Sequence, residues 1–198
     1  YLHWGEEYGT KENAAQQKMA QWICDMGFDV IVGGHAHVVQ PVALLESTLD
    51  PSHKTVCIYS MGNAVSNQRT GISNLFPAGF TEDGALFEMT FEKYSDGKVY
   101  LAGTDVIPTW VNMHSNQGKK EYNILPLIKD HEDQWKESYE LTDNQFAFCQ
   151  KSYDRTMGIV GDGLKACQDY LAQAKEARAR NSSMIRFVSI LSQIWGCL

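Results

Sequence analysis

Between Lys11 and Met26 the chain sets Ala14, Met19, Ala20, Trp22 and Ile23 near one helical face, and Gly27 follows where such a helix would stop. Phe28 to Val32 is then a short apolar run that opens into Gly33-Gly34. Helix, glycine stop, buried strand and glycine loop together predict an α/β unit. Gln40 to Leu45 and Thr55 to Ser60 read as two further strands, separated by the turn-forming Asp50-Pro51-Ser52. The second of them runs into Ser60-Met61-Gly62-Asn63, another glycine-bearing loop.

From Gly84 to Tyr94 the alternating positions Leu86, Glu88, Thr90 and Glu92 do not separate cleanly from Phe87, Met89 and Phe91, yet alternation and β-propensity favour a strand. Ser95-Asp96-Gly97 is a hairpin signal, and Lys98 to Ile107 is expected to return antiparallel. After Pro126 the pattern turns helical. Thr142 is placed to cap a helix from Asp143 to Met157, and Gly161-Asp162-Gly163 is expected to break it from a second helix, Leu164 to Arg180. Met184, Phe187, Val188, Leu191, Ile194 and Trp195 recur at helical spacing, which predicts a closing helix that packs on the domain or binds a partner.

Composition changes this picture little. With 43% hydrophobic and 21% charged residues in 198 positions, the chain has the means for one substantial domain. A net charge of −7 argues against a nucleic-acid partner, because phosphate backbones are bound by clustered Lys and Arg. The five cysteines show no CxxC spacing, and an odd count is not a disulfide framework. Tyr1-Leu2-His3-Trp4-Gly5 reads as the end of a buried strand entering a turn, which is the reading of a truncated or processed chain.

The candidate chemistry lies in Gly33-Gly34-His35-Ala36-His37. A loop that follows a buried strand is where open α/β sheets place ligands, and two histidines two residues apart there can turn both imidazoles toward one cavity. Imidazole nitrogen suits Zn, Fe, Mn, Ni and Cu. A bare HxH is a weak signal, equally read as one outward and one hydrogen-bonded histidine; the preceding strand and glycines strengthen it. His3 stands where the earlier strand should end and is the third candidate ligand, with a buried, carbonyl-bonded histidine as the other reading. Glu7, Gln40, Asn63 and Arg69 are candidate cavity residues, Arg69 because its guanidinium fork matches carboxylate or phosphate. Each also reads as a turn former, strand edge or surface charge. His53, His114 and His131 are assigned to the surface.

Three ordered segments, His3-Trp4-Gly5-Glu6-Glu7-Tyr8, then Gly27 through Gln40, then Tyr59-Ser60-Met61-Gly62-Asn63, resemble the bacterial capsule synthesis family of CapA/PgsA type within the calcineurin-like metallophosphoesterase superfamily. Ser66 to Arg69, Thr81 to Gly84 and Pro108 to Val111 extend the resemblance to about the first two-thirds of the chain, leaving the helical tail unaccounted for. Gly-Gly-His-Ala-His stands where the family often has a bulkier Gly-His-His-Pro-His, and Ala64 where it usually has Phe. Neither change removes a ligand.

The resemblance implies the C-terminal part of a four-layer α/β/β/α metallophosphoesterase-like sandwich over residues 1–127, with residues 128–198 a helical extension. It implies two divalent metal ions, Mn, Fe or Zn, with His3 and His35 on one and His37 on the other. The remaining ligands and the general acid are expected upstream of Tyr1, in a missing N-terminal half. The implied function is capsule (poly-γ-glutamate) biosynthesis through hydrolysis of a phosphoester or an anionic polymer. The alternative is a non-catalytic polymer-binding or scaffold subunit of a capsule synthesis or export complex at the membrane. Either implies an extracytoplasmic place in a bacterial cell envelope.

Overall fold

The computed structural model describes residues 1–69, 79–95, 97–181 and 185–190. β1 (Leu2–His3) enters a loop that leads to α1 (Ala14–Asp25). Asn13 caps α1: its side chain accepts from the backbone N of Gln16 at 2.9 Å, and Gln16 Oε1 accepts from the backbone N of Asn13 at 3.0 Å. This reciprocal pair satisfies two amide groups the first turn leaves open. Gly27, with φ of 84°, lets the chain turn off the helix as expected.

The buried face of α1 differs from the predicted one. Gln16, Ala20 and Cys24 point inward, while Met19 and Trp22 are exposed. Gln16 is drawn in because its Nε2 donates to Gln40 Oε1 at 2.8 Å, and that buried amide pair rotates the helix away from its most apolar stripe.

β2 (Val30–Gly34), β3 (Val42–Glu46) and β4 (Lys54–Ile58) complete a four-stranded sheet in the order β1-β2-β4-β3. β1, β2 and β4 are parallel and β3 is antiparallel to β4. Strand alternation divides its faces. Ile31, Cys57 and Tyr59 pack with Ala20 under α1, whereas Val32, Val56 and Ile58 face the main core.

β5 (Asp83–Tyr94), β6 (Val99–Asn116) and β7 (Lys119–Pro126) form the second sheet with β8 (Ile185–Ile190), antiparallel throughout, in the order β7-β6-β5-β8. The unclear alternation of β5 has a physical cause. The register shifts between Thr90 and Phe91, so Phe87 and Met89 are buried before it and Glu92 and Tyr94 after it.

The returning strand was expected to stop at Ile107, but it continues to Asn116 and turns into β7. Pro108 does not end it. Its carbonyl accepts from Leu127 N at 2.8 Å, so its missing N–H faces the same side, beyond the first β6–β7 pair at Thr109 and Pro126.

The short α2 (Trp135–Ser138) precedes α3 (Asp143–Asn181), whose start carries the expected Thr142 cap, with Gln145 N donating to Thr142 Oγ1 at 3.3 Å. The expected break at Gly161-Asp162-Gly163 is absent, and α3 is one helix of 39 residues. A Cβ at Gly163 would lie 1.7 Å from the carbonyl oxygen of Val42, so this glycine seats the helix backbone directly on β3. Close packing outweighs the roughly 1 kcal/mol helix penalty of a glycine. Val160, Leu164, Cys167 and Leu171 of α3 share one core with Val42 and Val56 of the first sheet and Phe87 and Val106 of the second.

The closing segment is also corrected. Ile185 to Ile190 pair with Met89 to Tyr94 as a strand, not a helix; Met184 and residues 191–195 of that prediction lie outside the described residues. The fold is thus a mixed α/β arrangement of two sheets and packed helices. Among the described residues no helix is long and apolar enough to cross a membrane.

Candidate metal centre

Parallel pairing of β1 with β2, Leu2 beside Gly33 and His3 beside Gly34, brings the carboxyl ends of the two strands level. The loops leaving them therefore meet. His3 and His35 lie with ring centroids 4.2 Å apart, and the ring of His37 is 6.2 Å from that of His35.

The glycines make this convergence sterically possible. A Cβ at Gly33 would sit 2.0 Å from the Tyr59 carbonyl oxygen and 2.4 Å from Trp4 Nε1, which itself donates to that carbonyl at 2.8 Å. Two backbone bonds then clasp the loops, Trp4 N to Gly34 O at 3.1 Å and Tyr8 N to Ala36 O at 2.7 Å.

His35 and His37 occupy left-handed backbone, with φ of 99° and 59°, as does Tyr8 at 66°. Such conformations cost on the order of 1–3 kcal/mol each in non-glycine residues and persist where surrounding contacts enforce them. Here they aim two imidazoles that an ordinary turn would not bring together.

Five of the seven predicted residues, the three histidines with Glu7 and Asn63, come together in this cluster. His37 Nδ1 lies 2.9 Å from Asn63 Oδ1, and Asn63 Nδ2 donates to the His37 carbonyl at 3.0 Å. Glu7 Oε1 is 3.9 Å from His37 Nε2, with about half of its side chain exposed. Gln40 and Arg69 are engaged elsewhere. Gln40 is fully buried, accepting from Gln16 and donating to the carbonyls of Gly9 and Lys11, so it fastens the loop before α1. Arg69 donates to Glu82 Oε2 at 2.9 Å and to the Val111 carbonyl at 2.7 Å.

Tyr8 and Gln68 were not singled out from the sequence. Tyr8 stacks on His37 with ring centroids 6.0 Å apart, and its hydroxyl accepts from Gln68 Nε2 at 3.2 Å. Burial and the Glu7 carboxylate raise the Tyr8 phenol above its ordinary value, so it stays protonated at neutral pH. Both residues lie inside the segments that carried the family resemblance, which was the available signal.

Three imidazoles are the donor chemistry of a divalent transition metal, and a histidine whose other nitrogen is held by an amide has the orienting partner that metal-bound histidines use. In donor type the residues fit such an ion. Among the described residues, however, no group of three His, Cys, Asp or Glu side chains is arranged so as to hold one by itself. The trio fits as contributors to a site.

Residues 1–68, which contain every member of this cluster, match the model of the bacterial capsule synthesis protein family. The PGA biosynthesis protein CapA of Bacillus subtilis (strain 168) is 31% identical over 135 residues, 68% of this chain and 32% of that protein. The chain belongs to the CapA-like capsule synthesis family. A second relative, the capsule biosynthesis protein CapA of Bacillus anthracis, is 39% identical over 66 residues, 33% of this chain and 14% of that one. The matched stretch thus spans about a third, 32%, or less of the length of these CapA relatives. No solved structure matches the chain.

Proposed function

We propose that this CapA-like chain contributes His3, His35 and His37 to a site for two divalent metal ions, Mn, Fe or Zn, in a protein of capsule biosynthesis that hydrolyses a phosphoester or an anionic polymer such as poly-γ-glutamate. The observation that carries the reading is the convergence of three imidazoles at the ends of two parallel strands, two of them on strained backbone. Further ligands and the general acid would come from outside the 198 residues. The accompanying fold reading is a four-layer metallophosphoesterase-like sandwich, supported by α1 on the outer face of the first sheet and the core shared between both sheets.

Bound metal would supply a water acidified toward neutral pH and positive charge against the transferring group. The chain's own residues prepare that environment. Gly33 and Gly34 bring the loop backbone close, Trp4 and Tyr59 wall it, and Asn63 with Tyr8 fixes the plane of His37. Glu7, half exposed beside His37, is placed to meet a cation or a polar substrate at the rim.

A non-catalytic polymer-binding or scaffold role in a capsule synthesis complex is the second reading, and it requires no completed metal site. An envelope location accords with both readings. Metal analysis of the full-length protein, with phosphodiester and poly-γ-glutamate hydrolysis, separates them. The hydrolase predicts bound metal and activity that His35→Ala removes; metal-free, inactive protein that still supports capsule formation would establish the scaffold.

A further inference from the structure

The amide of Asn63 is oriented by its surroundings. Its Nδ2 lies 3.0 Å from the carbonyl oxygens of both His37 and Thr81, and 3.4 Å from Gln68 Oε1. A backbone carbonyl only accepts, so the end facing two of them must be the NH2. Flipping the amide would press its own oxygen against both. Oδ1 is therefore the atom 2.9 Å from His37 Nδ1.

The amide oxygen also only accepts, so this bond exists only while Nδ1 carries the proton. A neutral imidazole has a single N–H. We infer that Asn63 is a positioning residue that holds neutral His37 as its Nδ1–H tautomer, so that Nε2 is the nitrogen His37 presents to a divalent cation; the last clause rests on the metal reading above, and the tautomer does not.

The lock is rigid at both ends. Asn63 is buried, its backbone N donates to Asp83 O at 3.4 Å, and a Cβ at Gly84 would lie 2.4 Å from the Asn63 carbonyl oxygen, so the two segments are in direct backbone contact. Asp83 is itself gripped by Arg155 through two 2.7 Å bonds. On the other side the Tyr8 ring lies across His37 with an interplanar angle of 24°. The imidazole can neither rotate to offer Nδ1 outward nor find a different acceptor without breaking these contacts. Nε2 is left facing the partly exposed side, toward Glu7.

The test is long-range nitrogen–proton NMR on the histidine-labelled 198-residue chain, freed of metal and held at alkaline pH so that the rings are neutral. His37 is expected to show a protonated Nδ1 and an unprotonated Nε2. Asn63→Ala should move it toward the Nε2–H form that free histidine favours; backbone amide spectra report whether the variant is folded. A wild-type His37 in the Nε2–H form overturns the inference without recourse to any variant. Titration of the full-length protein, in which the remaining ligands of the proposed site are present, with Co2+ alone then separates the two claims. Perturbation of His37 at Nε2, with affinity about 10–100-fold weaker in Asn63→Ala, supports both. Absence of any Co2+ effect on a correctly locked His37 removes the metal reading and leaves the tautomer assignment standing.

Discussion

Two polar clusters lie at opposite ends of one short connection, and they are built on opposite principles. The histidine cluster is partly exposed, sits on left-handed backbone, and leaves the rings of His3 and His35 without a hydrogen bond among the described residues. The cluster around Glu82 and Asp83 is buried and closed. Arg69 and Trp110 Nε1 meet Glu82 at 2.9 and 3.2 Å, and Arg155 meets Asp83 with both Nε and a terminal nitrogen. Burial pushes the Asp83 carboxyl above the usual range and Arg155 opposes that shift. One cluster leaves two imidazole rings unbonded among the described residues; the other satisfies its charges within the fold. The contrast teaches that Arg69, chemically the better anion receptor, serves the scaffold, while the strained imidazoles are the groups the scaffold supports.

The largest expected effect tests the closed cluster. Asp83→Ala leaves Arg155 without its buried partner and should cost about 3–5 kcal/mol in denaturant unfolding. His35→Ala should cost far less, since it removes a partly exposed ring with no hydrogen bond among the described residues. Equal costs at the two positions would erase the distinction drawn between the clusters.

Gly163→Ala comes next. Ala is the better helix former, yet its methyl would overlap the Val42 carbonyl, so the variant should lose about 1–3 kcal/mol instead of gaining stability. A gain would mean that α3 stands off from β3.

His35→Gly sharpens the other side. Relief of backbone with φ of 99° should stabilise the protein by about 1 kcal/mol while deleting a candidate ligand, so thermal stability should rise as Co2+ affinity falls. Loss of stability would show that the imidazole is structural.

The smallest effect at neutral pH concerns the buried thiols. Burial pushes Cys149 and Cys167 up to about 12. In the unfolded chain a thiol releases its proton near pH 8.5, whereas the folded thiols keep theirs, so the unfolded state binds fewer protons above that pH. The contribution of these thiols to stability should therefore be constant below about pH 8.5 and decline as pH rises beyond it. Thiol reagents should reach these two cysteines only on unfolding. Rapid labelling of Cys149 or Cys167 in folded protein would contradict their burial.

The local readings that held are those set by short-range chemistry. The Thr142 cap, the Gly27 stop, the apolar run to Val32 and the hairpin closed between Tyr94 and Lys98 each depend on a few adjacent residues. So does the ordered set of segments that marked the family. The readings that failed depend on what packs against what. Gly163 looks like a helix breaker until β3 lies against it, and Pro108 like a strand end until its missing N–H is seen to face the open side of the pair. Met19 and Trp22 look inward until the buried Gln16–Gln40 bond turns α1.

By itself the sequence determined that His3, His35 and His37 would sit at strand ends after glycine-rich turns, because strand periodicity and glycine freedom are properties of neighbours along the chain. Only the tertiary structure decided which polar residues join them. Asn63 and Arg69 are six positions apart in one loop, and the sequence offered them as equals. The fold sends Asn63 to His37 and Arg69 to Glu82, because a hydrogen bond depends on distance and direction in space, and both are fixed by how the two sheets and α3 meet.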